Sequence, residues 1–315
     1  MQKVEFKAKV ARSFEEIINH VVSAYNRGLP HFTPTEQIHQ NHAVLCGSGP
    51  TITEHVEEIR AHKERKHCVV SLNASHDYLI SHDIIPDVHV SVDPRPRIIK
   101  GFRQIRDDII YLIATQCHPG VFEHLKGKRV YLWNSYSAEL HEFAEKNRWG
   151  RKFGMVHGGT TAGLRGIVLL YLMGYRYFHL YGMDCSFEKE RNIDGTMPKN
   201  HEYIKINGRT FLTDRQMMAQ AMEMGKVAQQ TPGAKYKCYG DTLMASIIEE
   251  GRAYGREEFF LPSEDFHRVR PKAALSLHGS GPLIDDKFVA SSADLPAYIG
   301  TAPDLEKGSD GVHLY

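Results

Sequence analysis

His42–Glu54 reads HAVLCGSGPTITE. Ala43 to Cys46 is a short apolar run of the length of a buried strand. Gly47-Ser48-Gly49-Pro50 is a turn that neither a helix nor a strand contains. Thr51 and Glu54 stand at capping-box spacing at the start of the next amphipathic segment. Strand, glycine turn and helix start form an arrangement that receives phosphate. Glycine lets the backbone approach an anion, and the first turn of a helix offers unpaired N–H groups and a positive dipole end. Gly47, Ser48, Gly49, Pro50 and Thr51 are therefore candidate nucleotide-binding residues. The pattern is GxGP without a P-loop lysine, so a tight turn of any α/β fold is the competing reading. On the phosphate reading, Gly49→Val should abolish nucleotide binding and leave the fold intact.

Downstream the chain alternates between strand and helix. The spacing predicts strands at 43–46, 68–72, 88–92, 109–114, 130–133, 177–181 and 235–239, with helices between them, among them 51–66, 98–105 and 215–229. Such alternation predicts an α/β, Rossmann-like, mostly parallel sheet with helices on both faces. Polar residues follow strand after strand: Ser48, Asn73, Asp93, Thr115, Asn134 and Asp184. In an open parallel sheet ligands bind at the carboxyl ends of the strands. Residues 1–40 read as an N-terminal helical extension, 41–251 as the Rossmann-like domain and 252–315 as an irregular C-terminal arm. A stretch of that composition is expected to be an extended or disordered tail, or an arm ordered only by a partner, which in a homo-oligomer would be a second copy of the chain.

Lys+Arg is 39 and Asp+Glu is 38 in 315 residues, so no global basic field attracts nucleic acid. The apolar run from Ile167 to Met173 is too short to span a bilayer, so no transmembrane segment is expected. The first residues have no apolar stretch of a secretory signal. The five cysteines lack CxxC spacing. Together these predict a reducing, cytoplasmic setting with no disulfide frame and no zinc site. Nineteen His occur without HExxH or HxH spacing and read mostly as surface residues.

A second glycine turn, Gly158-Gly159-Thr160, also opens a helix. Two such starts facing one sheet edge could hold two ends of a nucleotide; otherwise the glycines merely let that helix pack closely. Asp93 follows VHVSV and Asp184 follows HLYGM. Two strand-end carboxylates suit a Mg2+ ion that bridges phosphates, and one of them could instead serve as a base. The competing reading is an Asp that caps the next turn. Asn73 would hydrogen-bond a ribose or a base, or close an Asx-turn. Arg95 and Arg97 suit phosphate. Cys185–Asp214 breaks the rhythm as a lid-like insertion, and His201 within it could act as acid or base.

CGSGPT, SLNAS, IIPDVHVSVDP and HGGTTAGLRGIVLLYLMGYRYFHLYGMDCSF, in that order, resemble the MptE-like family (domain of unknown function 115). That group contains 6-hydroxymethylpterin diphosphokinases and is related to the Maf flagellin glycosyltransferases and to bacterial CMP-sialic acid sialyltransferases. The resemblance runs from about Asn41 to Glu250. It departs at Thr51, where the family has Ser, and near Lys205, where the sialyltransferases carry the second His of a motif begun here by His201. It implies a nucleotide-dependent transferase. First comes a glycosyltransferase with a CMP-type sugar donor and an unknown acceptor. The alternatives are an ATP-dependent pyrophosphokinase of a hydroxymethylpterin-like alcohol and a non-catalytic nucleotide-binding module. Asp93, Asp184 and His201 would be its catalytic residues.

Overall fold

The computed structural model describes residues 12–147, 154–187, 202–206 and 208–253. Seven strands come first: β1 His42–Cys46, β2 Cys68–Leu72, β3 Val88–Ser91, β4 Ile110–Ala114, β5 Arg129–Ser135, β6 Met155–Val156 and β7 Tyr177–Tyr181. A separate antiparallel hairpin, β8 Glu202–Ile206 and β9 Arg209–Thr213, precedes β10 Lys235–Cys238. The main sheet has the order β10-β7-β1-β2-β3-β4-β5-β6, and every pairing in it is parallel. Every residue of β1, β2 and β4 is buried, as strands covered on both faces must be.

Alternate residues of each strand feed two cores. Leu45, Val70 and Val90 pack under α6, Ala162–Leu172. Val44, Cys46 and Val69 pack under α2, Val56–Glu64, and α3, Ser75–Ser81, through Ile59 and Leu79. Gly166 lets α6 lie close, because a Cβ there would stand 3.2 Å from Leu45 and Leu72. Near the far end of the sheet, α1 (Phe14–Tyr25) packs on α5 (Ala138–Lys146) through Ile18, Val21 and Leu140. No helix among the described residues is long and apolar enough to cross a membrane.

Three expectations change. The helix foreseen from Thr51 to Lys66 is a 3-10 turn, Pro50–Glu54, followed by α2. No capping box forms, because the Thr51 hydroxyl is engaged elsewhere, and His55 breaks the turn at φ −119. The helix foreseen at 98–105 is a 3-10 turn, Pro96–Gly101, pressed against the backbone of Ala74. Among the described histidines, His20, His31, His42, His62, His67, His76, His89 and His179 are buried and are not the surface residues the spacing suggests.

That burial has a pH consequence. His89 is fully buried, with Nδ1 3.0 Å from Ser71 Oγ, and burial pushes its pKa well below the usual value. Burial likewise lowers His31 to about 4. The unfolded chain, with His near 6.5, binds more protons below that pH than the folded chain does. Stability is therefore full above pH ~6.5 and is lost as pH falls from there toward ~4. The urea midpoint is expected to be lower at about pH 5 than at about pH 7.5; equal midpoints would contradict this.

Candidate functional site

The chain leaves β1 toward β2 on one side and returns to β7 on the other, so the topological switch point lies between β1 and β7. Ligands of open parallel sheets bind there, outside the carboxyl ends of the strands. The turn 47–51 follows β1, and Gly182-Met183-Asp184 follows β7. The two turns are clasped together. Gly47 N–H donates to Tyr181 O at 2.8 Å and Gly49 N–H to Gly182 O at 2.7 Å. A Cβ on Gly47 would collide with the Gly182 carbonyl, and one on Gly49 with the Asp184 carboxylate. The Asp184 side chain closes the clasp: Oδ2 accepts Thr51 N–H at 3.0 Å and Oδ1 accepts the Thr51 hydroxyl at 2.6 Å. Asp184 is only 3% exposed.

Three amides of the first glycine turn are thus engaged within the protein, and the anion at its 3-10 start is the protein's own. Half-buried Ser48 is the turn residue left to face a ligand, since its N–H has no partner among the described residues. Gly49→Val would break the clasp, so it tests the packing and not nucleotide binding alone.

The second turn repeats the theme. Gly158 and Gly159 sit at φ +122 and +75. Thr160 N–H and its hydroxyl both donate to Glu223 Oε2, each at 2.9 Å. Glu223 is half-buried on α7, Arg215–Gln230. Thr161 caps α6 through Leu164 N–H. Arg165 donates to the carbonyls of Val156 and Tyr136, and burial pushes its pKa down to about 10 while the charge of Glu223 opposes the shift. The start of α6 and Arg165 form a positive corner, and a carboxylate sits in it. A Cβ on Gly163 would meet the side chains of Met183 and Leu72, so the start of α6 lies over the ends of β7 and β2. The fold brings the two glycine turns to one corner.

Other candidates stand apart. Asp93 is held by its own neighbour: Arg95 Nε donates to Oδ1 at 2.7 Å and Nη2 to Oδ2 at 2.5 Å. Asp93 follows β3 and Asp184 follows β7, with β1 and β2 between them. Three strand spacings put the strands that carry them about 14 Å apart, and each carboxylate already has a partner, Arg95 for Asp93 and Thr51 for Asp184. Asn73, at φ +53, lies at the same edge, and Ser91 Oγ donates to its Oδ1 at 3.4 Å. Asn134 is buried and committed to Thr115, Tyr25 and Gly154. His201 lies outside the described residues. Of the insertion, the described parts hold to one another: Phe187 N–H donates to Leu212 O at 2.6 Å and the Thr213 hydroxyl to Cys185 O at 2.8 Å.

Residues 15–190, more than half of the chain, match the family model described as 6-hydroxymethylpterin diphosphokinase MptE-like. The chain belongs to this family. The matched region carries both glycine turns, Asn73, Asp93 and Asp184, and stops short of the hairpin and of Glu223. No curated protein matches the sequence. Among solved structures, the Maf glycosyltransferase from Magnetospirillum magneticum AMB-1 is similar, with a TM-score of 0.57 and 14% identity over 78% of this chain and 42% of that one. At that identity the likeness is one of fold, and the MptE-like chain spans less than half the length of the Maf structure.

Glu223 was not foreseen. It lies on a Met-rich helix that reads as core, and nothing local ties it to Thr160. The Asp184–Thr51 clasp can be measured. Hydrogen bonds to a charged group contribute about 1.5–3 kcal/mol each. Asp184→Ala is expected to cost about 3 kcal/mol and Thr51→Val about 2 kcal/mol. The double variant should fall well short of their sum, because Asp184→Ala already removes the partner of the hydroxyl that Thr51→Val deletes. Additive losses in urea denaturation would contradict the clasp.

Proposed function

We propose that this chain is a nucleotide-dependent transferase, and that within this class it transfers a sugar from a CMP-type donor. The observation that carries the reading is the positive corner where two glycine turns meet beside the β1–β7 switch point. A phosphate entering that corner would take the Thr160 donors now held by Glu223. Membership of a family described by a diphosphokinase, and a fold shared with a glycosyltransferase, both support nucleotide chemistry. Glycosyl transfer comes first because it does not require a divalent ion shared by Asp93 and Asp184, which follow strands three spacings apart.

In the proposed step the acceptor hydroxyl attacks the anomeric carbon, the bond from that carbon to the phosphate oxygen breaks, and CMP leaves with the electron pair. The corner made by Thr160, the α6 start and Arg165 would stabilise the leaving phosphate. Asp93 or His201 would receive the acceptor proton, and Asn73 would meet the nucleoside. The second reading is pyrophosphoryl transfer from ATP to a hydroxymethylpterin-like alcohol, and the family description favours it. Mg2+ would then be bound by the nucleotide with Asp93 or Asp184 singly.

Release of CMP from a CMP-sugar supports the first reading. Release of AMP from ATP with the pterin alcohol replaces it with the second, and nucleotide binding without turnover would leave a binding module. Glu223→Gln checks where the phosphate sits. Removing the competing negative charge, worth about 1 kcal/mol at ~4 Å when fully screened by water, should tighten CMP binding at least about fivefold. Unchanged or weaker binding by calorimetry would place the phosphate elsewhere.

A further inference from the structure

Toward the opposite, amino edge of the same strands, histidines gather. His42 opens β1, His67 directly precedes β2, and His179 lies within β7. Each offers a ring nitrogen, and these three atoms lie within 4.8 Å of one another. All three residues are buried, at 1%, 4% and 0% exposure. His42 Nδ1 is 2.7 Å from His179 Nε2, and the ring of His42 stacks on that of His67 at 4.5 Å. His62, from the last turn of α2, brings its Nδ1 to 2.7 Å from His67 Nδ1. His67 Nε2 is buried with no hydrogen-bond partner.

Polar groups surround the cluster on its outer side. His179 Nδ1 lies 3.0 Å from the Tyr239 hydroxyl, and His62 Nε2 lies 3.1 Å from the Tyr181 hydroxyl. The Tyr181 hydroxyl also reaches Glu58 Oε2 at 3.4 Å. Such contacts fix ring orientation and set which nitrogen of each ring keeps a lone pair.

A core packed for its own sake would not collect imidazoles here. Each neutral ring needs both a donor and an acceptor, and a buried ring nitrogen without a partner costs about 1–3 kcal/mol. A cation that accepts several lone pairs at once removes that cost. Neutral imidazole is the form that ligates metal. An all-imidazole set suits zinc and its first-row neighbours, and does not suit Mg2+ or Ca2+, which take oxygen ligands. Nitrogens bound tetrahedrally at about 2.0–2.1 Å from zinc stand about 3.4 Å apart. The observed separations, 2.7 Å for one pair and up to 4.8 Å for the set, bracket that value.

We propose that His42, His67 and His179 hold one divalent first-row transition-metal ion of the zinc class, with His62 beside them as a supporting or fourth ligand. The ion would tie β1, the α2–β2 turn and β7 together at the edge opposite the nucleotide corner. Its role is structural, and it stands or falls independently of the transferase reading.

The test uses the full chain, purified without a histidine tag and grown with zinc. Elemental analysis should find about one zinc per chain. After chelator treatment, added Zn2+ should restore the thermal midpoint, and Co2+ should give visible absorption bands from a nitrogen-ligated ion. His67→Gln should lose the bound zinc, while His89→Gln, in a separate buried site, should keep it. The Co2+ spectrum is read on the unaltered protein, so it decides even if the variants fail to fold. Zinc-free protein that binds neither Zn2+ nor Co2+ more tightly than a Kd of about 10 µM would overturn the proposal. So would a folded His67→Gln variant that keeps its zinc.

Discussion

The carboxylate of Asp184 accepts both the N–H and the hydroxyl of Thr51, and the carboxyl edge of the sheet depends on that contact. A buried carboxylate without partners costs several kcal/mol. Here it is placed against two donors and the start of a 3-10 turn, whose open N–H groups favour negative charge. The contact is possible only because β1 and β7 are neighbours in the sheet. It in turn constrains both turns to be glycine-rich, since Gly47 and Gly49 lie where a Cβ would strike the segment 182–184. Met183, carried by the same segment, is the surface on which the start of α6 rests.

Two helix-type starts meet at this edge, and each is met by a carboxylate of the protein. They differ in burial and in what holds them. Asp184 is buried in the clasp and belongs to the architecture. Glu223 is half-buried on α7, follows the β8–β9 hairpin in the chain, and binds an exposed Thr160. Moving Asp184 would open the end of the sheet, whereas moving Glu223 requires only a rotamer change at a surface helix. One anion position is therefore fixed and the other is exchangeable. On the proposed function, the exchangeable position at the start of α6 is the one a ligand phosphate would take.

Much of the fold was legible. β2 and β7 have the limits that the sequence predicts, because their apolar runs are bounded by Gly, Asn or charge and need no distant partner to define them. The recurrence of polar residues after successive strands marked the carboxyl edge of the sheet, where the candidate site is described. The two-residue β6 was not legible, since a period cannot be read over two positions. The Asp184–Thr51 and Glu223–Thr160 pairs depend on which strands and helices become neighbours, and local spacing carries no trace of that. In the run DPRPR the sequence reads Arg95 as suited to phosphate, and its pairing with Asp93 emerges only from the geometry. His42, His67 and His179 look like scattered surface residues along the chain, and only the order β7-β1-β2 gathers them.

The most direct test of this account is a crystal structure of the protein with CMP bound. The account predicts the nucleotide at the carboxyl edge, its phosphate on the N–H and hydroxyl of Thr160, Glu223 turned away, and Asp184 still bound to Thr51. A nucleotide bound at the amino edge of the sheet, or at the carboxyl edge with Glu223 still on Thr160, would contradict it.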